Sequence, residues 1–407
     1  MAVPVLSVVF KNESGFADKD VHVGFIGGTL SARDAATGTA IQLNQYGAAH
    51  WYALDTLRKG IGLQSYIGGR VYFCYGKPWD MPRQGYEPSS SNPNDPNYHC
   101  RYDKMELTYK GSEWDVADTT AIDYFSIPMA LNVYKGGVSG TRVGSVTGAT
   151  TKAMVDALRG VTAKPGAAIV NDPQGAFVRV IGPGAYPPAP GKPESPYDDF
   201  QSYLEYLRDT YAPAHSGVVA RIKGRFGGVG EAPVTPETKP QDYDFTASID
   251  TKLAITITGS GTLVGRHTLK LEKDDLIAPA GIYGANPLFS LDGAKKINPQ
   301  NDIYGWLIGD LLSGLNIGAV GSTVTLQGRP VPVGAMNSQD WFKLTSFFGD
   351  LQPGRAHNYN RWAAALAPIS QAYNFAYSDR FAHVVATLNT GKPVFVDTLE
   401  IVLLPER

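Results

Sequence analysis

The segment Arg101–Met129, RYDKMELTYKGSEWDVADTTAIDYFSIPM, sets the expected fold of the chain. Within Lys104–Tyr109, apolar residues alternate with polar ones, and a period of two is typical of a β-strand. Glu106 and Thr108 therefore share the face opposite the apolar one. The segment thus predicts a packed strand that presents an acid on its polar face.

A second strand is predicted at Ala121–Ile127, where apolar residues alternate with Asp123. The polar connection between the two predicted strands contains Asp118. Two neighbouring strands would present Glu106 and Asp123 to one cleft, with Asp118 close by. The sequence therefore predicts a cluster of carboxylates on one side of a sheet.

Two carboxyl groups in one cleft are what hydrolysis of a glycosidic bond requires. One carboxyl is protonated and donates to the leaving oxygen, while the other is ionised and activates water or attacks carbon. Like charge and partial burial separate the pKa values of such a pair. Spacing alone leaves the alternative open, because carboxylates on strands usually face solvent.

The same segment resembles the paired acidic motif of thaumatin-like proteins and of glycoside hydrolase family 64, the β-1,3-glucanases. Its ELTY and ADTTAIDYFSIP are similar to E-F-T, a polar turn, an Asp and V-D-x-F-x-x-P. Glu106 falls on the motif Glu, Asp118 on the intermediate acid and Asp123 on the Asp of the second strand. Phe125 and Pro128 also match.

Further segments resemble the same groups in the same order. They are the opening strand and turn Val8–Gly15, the segment Ser65–Trp79 (SYIGGRVYFCYGKPW), and Ala372–Glu406 with its ending similar to Y-x-F-A-Y-D-D. The resemblance covers nearly the whole chain. It implies a mainly β fold with α/β, in which a thaumatin-like, barrel-like β-sandwich lobe carries an inserted mixed α/β lobe and a wide groove lies between them.

Residues 1–140 and 372–407 are expected to form the β-sandwich lobe that carries the acidic pair, and residues 141–371 the α/β lobe that forms the other groove wall. A change from period two to helical periodicity supports this division. The predicted helices are Thr151–Arg159, Ser195–Tyr211, Ile303–Leu315, Ser338–Phe348 and Tyr359–Ser370. Predicted strands outside the acidic segment include Val3–Phe10, Val21–Ile26, Gly69–Tyr75, Phe177–Ile181, Phe245–Ile249, Lys252–Thr258, Thr262–Leu271 and Phe395–Leu403.

The resemblance implies an inverting, endo-type β-1,3-glucan hydrolase acting on laminarin- or curdlan-type substrates. Glu106 is then the general acid and Asp123 the general base. Residues expected to contact the sugar are Thr108, Trp114, Asp118, Thr120, His357, Tyr359 and Asp379. The chain departs from the family pattern at Ser378, which replaces the first Asp of the ending motif, and at Ala364, where a His is common.

The alternative is a non-catalytic protein of the same fold, namely a thaumatin-like glucan binder or a defence or toxin-type interaction module. The changes at Ser378 and Ala364 favour the binder, whereas the intact Glu106 and Asp123 favour the enzyme. The long Pro/Ser/Asn-rich segment 78–97 is expected to form one wall of the cleft. Its neighbouring aromatic residues either stack on sugar rings or pack the loop down: Trp79, Tyr86 and Tyr98.

The composition of the 407 residues excludes several function classes. A formal net charge of −2 gives no indication of nucleic-acid or anionic-membrane binding, and no apolar run is long enough to span a bilayer. Neither CxxC nor clustered His residues occur, so no metal or other cofactor is expected. The expected partner is a β-1,3-glucan polysaccharide or oligosaccharide, bound by a monomer.

Two features leave alternatives open. Cys74 and Cys100 form either one disulfide or two buried thiols. The N-terminal MAVPVLSVVFKN lacks the positive region of a signal peptide. The resemblance implies an extracellular protein, whereas the absence of a leader in this chain leaves a cytoplasmic location open.

Overall fold

The computed structural model describes residues 5–111, 115–186, 194–211, 217–229, 234–380, 384–388 and 396–407. The first strands are β1 (Leu6–Asn12), β2 (Val21–Ile26), β3 (Thr29–Asp34), β4 (Trp51–Ala53), β5 (Ile61–Tyr75), β6 (Arg101–Tyr109), β7 (Val116–Thr119), β8 (Tyr124–Phe125), β9 (Met129–Lys135), β10 (Thr141–Thr147), β11 (Ile169–Asn171) and β12 (Phe177–Ile181). The later strands are β13 (Val218–Phe226), β14 (Gln241–Ile249), β15 (Ile255–Gly261), β16 (Gly265–Leu271), β17 (Ser290–Leu291), β18 (Thr323–Leu326), β19 (Arg329–Pro332), β20 (Ala386–Thr387) and β21 (Thr398–Leu403). The α-helices are α1 (Thr151–Ala157), α2 (Gln201–Tyr211), α3 (Lys273–Ile277), α4 (Ile303–Asn316), α5 (Ser338–Trp341) and α6 (Arg361–Leu366).

The largest sheet has the strand order β10-β9-β21-β1-β5-β6-β7-β20, with β2 and β3 also paired to β5. Because β20 also contacts β9 and β10, the sheet nearly closes on itself like a barrel. The last strand, β21, pairs in parallel with β1 and antiparallel with β9. The end of the chain therefore returns to the N-terminal strands, and the mainly β prediction is confirmed.

The interior of this sheet is filled by alternate residues of its strands. On β6, Met105, Leu107 and Tyr109 are buried in the same apolar cluster as Val71 and Phe73 of β5. Each such side chain contributes about 1.5–3 kcal/mol when fully buried. The predicted alternation over Lys104–Tyr109 is confirmed, and it turns Lys104, Glu106 and Thr108 to the opposite face.

A second core lies under the antiparallel sheet β13-β14-β15-β16-β17, against which α2 and α4 pack. Helix α4 is buried nearly all round, as its apolar sequence requires. Its first turn is capped by Asp302, whose carboxylate accepts a hydrogen bond from the backbone N–H of Gly305 at 2.9 Å. A smaller sheet, β11-β12-β8, lies beside α1 and α6 over a third apolar cluster.

Several predicted boundaries are wrong. Helix α2 begins at Gln201 rather than at Ser195, because the Asp199 carboxylate accepts from the Gln201 N–H at 2.9 Å whereas the Ser195 hydroxyl only closes a turn with the Tyr197 N–H. Helix α5 ends at Trp341, whose buried indole donates to the carbonyl of Val333 at 2.9 Å. Helix α6 is likewise shorter than predicted.

The division of the chain into lobes at residues 140 and 372 stays a prediction. Strand β10 pairs with β9, so the large sheet continues beyond residue 140. Cys74 and Cys100 are both free thiols, which settles the disulfide question for this structure. Within the described part of the chain, no helix combines the length and the apolarity needed to cross a membrane.

Candidate active site

One row of charged side chains crosses three strands on the outer face of the large sheet. Arg70 on β5 is the direct cross-strand partner of Glu106 on β6, and Glu106 is the partner of Asp118 on β7. Directly opposed residues have Cβ atoms about 4.5–5.5 Å apart. The prediction that Asp118 lies in a connection is therefore wrong: it lies on a strand, beside Glu106.

The next row along the sheet brings in Asp123. Lys104 precedes Glu106 by two residues on the same face of β6 and pairs with Tyr72 of β5. Its Nζ lies 4.0 Å from Oδ2 of Asp123. Lys104 thus connects the face of β6 that carries Glu106 to the Asp123 carboxylate.

The predicted strand at Ala121–Ile127 is wrong, since only Tyr124 and Phe125 are in a strand and that strand, β8, pairs with β12. Asp123 lies in a turn instead. The carbonyl of Asp123 accepts from the Gly182 N–H at 2.7 Å, and the Ala121 N–H donates to the carbonyl of Tyr373 at 2.8 Å. Hydrogen bonds from distant segments, rather than a local ladder, hold this turn.

Asp103 anchors the other side of the Asp123 turn. Its buried carboxylate accepts from the N–H groups of Ser126 at 2.7 Å and Ile127 at 2.9 Å. Burial raises the pKa of the Asp103 carboxyl to about 7, although the backbone donors oppose the shift. The acid lies on the inner side of β6, so it acts on the site through the backbone of the turn.

A further carboxylate, Glu87, enters the site from the loop between β5 and β6. One oxygen accepts from Nη1 of Arg70, and the other accepts from the Tyr72 hydroxyl at 2.6 Å. Burial and the Glu87 carboxylate raise the pKa of the Tyr72 hydroxyl well above its usual value. Tyr72 therefore stays a hydrogen-bond donor to Glu87.

Four of these groups, Tyr72, Glu87, Lys104 and Asp123, line a polar cleft of about 250 Å³, whereas Glu106 is not among its lining residues. Its lining residues are Tyr72, Glu87, Pro88, Ser89, Ser90, Ser91, Lys104, Asp123, Tyr124 and Ala185. The predicted loop wall is thus present. However, Trp79 and Tyr86 are buried and pack the loop down, which excludes them as exposed platforms for sugar rings.

The two predicted catalytic carboxylates are open to solvent. The side chain of Glu106 is 52% exposed and that of Asp123 is 51% exposed. Each has a cation at about ion-pair distance, namely Nε of Arg70 at 3.9 Å and Nζ of Lys104 at 4.0 Å. Neither cation is close enough for a good hydrogen bond. Both carboxylates are accordingly available to an incoming substrate or water.

The remaining predicted contact residues are spread over several elements. The Thr108 hydroxyl accepts from the Gly68 N–H at 3.2 Å, and Thr120 bridges to Tyr373 beside the Asp123 turn. His357 has its Nδ1 3.4 Å from Oδ2 of Asp198, and Tyr359 packs near the ring of Phe348. Their roles stay predictions.

Two other predicted residues need separate mention. Asp379 lies in the short 3-10 helix Ser378–Arg380, while the predicted sugar contact Trp114 lies outside the described residues. Ser378, which departs from the family ending, is buried.

Sequence reasoning missed three charged residues of the site, Arg70, Glu87 and Lys104. The period of β6 already places Lys104 on the face of Glu106. Identifying Arg70 as a site residue required the register of β5 against β6, which the sequence does not show. Glu87 carried no local signal, because a single acid in a polar loop is ordinarily solvated.

The chain was compared with known proteins. The family model described as glycoside hydrolase family 64, beta-1,3-glucanase, matches residues 6–229. Among curated proteins, none matches the chain significantly. Three solved structures have a similar fold, at identities that by themselves support likeness of fold alone.

A laminaripentaose-producing β-1,3-glucanase in complex with laminaritetraose has a TM-score of 0.57 and 17% identity, over 99% of both chains. A family 64 β-1,3-glucanase domain from Clostridium beijerinckii has a TM-score of 0.60 and 13% identity, over 98% of both chains. A laminaripentaose-producing β-1,3-glucanase from Paenibacillus barengoltzii complexed with laminarihexaose has a TM-score of 0.53 and 13% identity, over 98% of this chain and 74% of that one.

The family match includes β5, β6, β7 and the turn that carries Asp123, which together carry Arg70, Glu106, Asp118 and Asp123. It extends over more than half of the 407 residues. The chain therefore belongs to glycoside hydrolase family 64, the β-1,3-glucanases.

Proposed function

We propose that this protein hydrolyses β-1,3-glucan with inversion, with Glu106 as the general acid and Asp123 as the general base. One observation carries the proposal. Two exposed carboxylates lie at the same face of β6, Glu106 on the strand itself and Asp123 beside Lys104, and each is out of hydrogen-bonding range of its neighbouring cation. The solved structures of similar fold include glucanases bound to laminari-oligosaccharides, which supports the choice of substrate.

The geometry favours Asp123 over Asp118 as the base. Asp118 is the direct cross-strand neighbour of Glu106, which leaves little room for a water molecule between their carboxyl groups. Asp123 instead lies beside Lys104, two residues before Glu106 on the same face of β6, and is not directly opposed to Glu106. An inverting pair needs a separation of roughly 6.5–9.5 Å to admit the attacking water.

Lys104 supports this assignment electrostatically. Its ammonium group lies 4.0 Å from Oδ2 of Asp123, at about ion-pair distance. An ionised carboxylate is the form that accepts a proton from water. Glu106 has Asp118 directly opposite on β7 and Nε of Arg70 3.9 Å away on β5.

The test is incubation of the purified protein with laminarin, followed by analysis of the released oligosaccharides. Release of laminari-oligosaccharides supports the enzyme. Retention on insoluble β-1,3-glucan without any release would support the glucan-binding alternative instead. If the protein neither releases oligosaccharides nor binds insoluble β-1,3-glucan, then β-1,3-glucan is not its ligand.

A further inference from the structure

Glu87 is a charged residue of the cleft that the proposed acid–base pair does not use. Its side chain is 31% exposed, and both of its oxygens are engaged, one by Arg70 and one by Tyr72. Hydrogen bonds from a guanidinium to a carboxylate are strong and fix the geometry of both groups. Because both oxygens of Glu87 already accept hydrogen bonds from the protein, we look for its function in the groups that it holds.

The loop holds Glu87 rigidly from both sides. The Tyr86 hydroxyl donates to the Asp95 carboxylate at 2.8 Å, and the carbonyl of Pro88 accepts from the buried Tyr102 hydroxyl at 2.9 Å. The Ser89 N–H donates to the same Asp95 carboxylate at 3.1 Å. The residues before and after Glu87 are thus fixed to one acid and to the sheet, and the carboxylate is presented in one position.

Arg70 stands between two carboxylates. It is the cross-strand partner of Glu106, yet its Nη1 bonds to Glu87 while its Nε lies 3.9 Å from Oε1 of Glu106. Burial opposes the charged form of Arg70, but Glu87, Tyr72 and Glu106 raise its pKa above the usual value. The guanidinium therefore stays charged and turns toward Glu87.

Without the Glu87 carboxylate, Arg70 would have Glu106 as its neighbouring carboxylate. A guanidinium prefers to bind a carboxylate through two parallel hydrogen bonds, and Glu106 is the directly opposed residue. Such a pair would occupy both oxygens of Glu106 and stabilise its ionised form. A glutamate held in that way cannot protonate the leaving oxygen of a glycoside.

We infer that Glu87 is a positioning residue that holds Arg70 away from Glu106 and so keeps Glu106 able to donate its proton. This inference rests on the proposed function. The charged and titratable groups that face Glu106 and Arg70 are Glu87, Tyr72, Lys104, Asp118 and Asp123. Of these, Glu87 is the carboxylate that accepts a hydrogen bond from Nη1 of Arg70.

The first test is the variant Glu87→Gln, which keeps the shape of the side chain and removes its charge. We expect the alkaline limb of the kcat/KM profile on laminarin to move to lower pH. Each unit of movement lowers kcat/KM about tenfold on the alkaline side, whereas the values at acidic pH stay near wild type. A purely structural role would lower kcat/KM at every pH by the same factor, and that result would overturn the inference.

A double variant separates the role of Arg70 from other effects. Glu87→Gln combined with Arg70→Gln removes the guanidinium that would otherwise close on Glu106. The alkaline limb should then return toward its wild-type position. The matched control is Glu272→Gln, which removes an ion-paired carboxylate beside the five-stranded sheet and should leave the profile unchanged. Failure of the double variant to restore the limb would count against the mechanism.

A crystal structure of Glu87→Gln tests the inference without relying on activity. We expect the Arg70 guanidinium within about 2.7–2.9 Å of the Glu106 carboxylate. An Arg70 that stays in place would refute the inference even if the wild-type enzyme is active. Conversely, if the wild-type protein is inactive but Arg70 contacts Glu106 in the structure of the variant, only the proposed function is refuted.

Discussion

Glu106 and Asp118 are directly opposed on adjacent antiparallel strands. Like charges in that relationship destabilise a sheet by up to about 1 kcal/mol. Arg70 faces Glu106 from the other side of β6 but donates its hydrogen bond to Glu87. Local repulsion of this kind is expected where a site must keep one carboxyl ready to bind a proton.

The first prediction concerns the proposed acid. Glu106→Gln keeps the shape and hydrogen bonding of the side chain but removes the proton it donates. Laminarin turnover should fall by roughly a hundredfold or more, while glucan binding and folding stay nearly unchanged. Initial rates and pull-down on insoluble β-1,3-glucan measure the two effects. A Glu106→Gln protein that hydrolyses laminarin at the wild-type rate would disprove the assignment.

The same comparison ranks the two other acids. Asp123→Asn should be as damaging as Glu106→Gln, because it removes the base. Asp118→Asn should cost less and should shift the alkaline limb of the pH–rate profile, which reports the general acid, because it changes only the charge beside Glu106. If Asp118→Asn were the more damaging variant, Asp118 and not Asp123 would be the partner of Glu106.

Stereochemistry distinguishes the two possible partners in a single experiment. Proton NMR of the product formed first from laminarin should show the α-anomer, since inversion follows from a pair roughly 6.5–9.5 Å apart. Retention would instead require a pair roughly 5–5.5 Å apart. That result would favour Asp118, the direct neighbour of Glu106.

The Asp123 turn should be sensitive to the size of residue 182. A Cβ atom at Gly182 would lie 2.3 Å from the carbonyl oxygen of Ile122 and 3.1 Å from that of Asp123. Gly182→Ala should therefore displace the turn and lower kcat about tenfold or more, as small misplacements of catalytic groups do. The control Gly160→Ala adds a Cβ with nothing within 4 Å and should leave kcat unchanged. Equal kcat values for Gly182→Ala and Gly160→Ala would show that the position of the Asp123 turn does not depend on the size of residue 182.

Asp103 should make the stability of the fold depend on pH. Its pKa is raised from 3.8 to about 7 by burial, so the folded protein binds this proton more tightly than the unfolded chain does. The contribution of Asp103 to the free energy of unfolding is therefore largest below about pH 4 and is lost as the pH rises through about 7. Its upper limit is about 4 kcal/mol.

Urea unfolding of the wild type across this range should show the decline. Asp103→Asn should flatten it and should lower stability by about 1–3 kcal/mol, because backbone donors of Ser126 and Ile127 lose a full acceptor. An unchanged pH dependence in Asp103→Asn would assign the decline to another group.

Local periodicity was enough to identify the strand that carries Glu106. Alternation over β6 placed Met105 and Leu107 in the core and the acid on the outer face, because successive side chains of a strand point to opposite faces. The order of motifs likewise indicated the family that the comparison with known proteins shows. Both the alternation and the motifs depend only on short runs of neighbouring residues.

The same kind of alternation failed at Ala121–Ile127, since a short run does not show which segment becomes the neighbouring strand. The turn at Asp123 is held by Gly182 and Tyr373, and Glu87 meets Arg70 only when the loop folds back on the sheet. Hydrogen bonds between residues far apart in the chain place these groups. The sequence by itself therefore determined which strand carries the acid, whereas its partners depend on strand register and loop closure, which exist only in the folded chain.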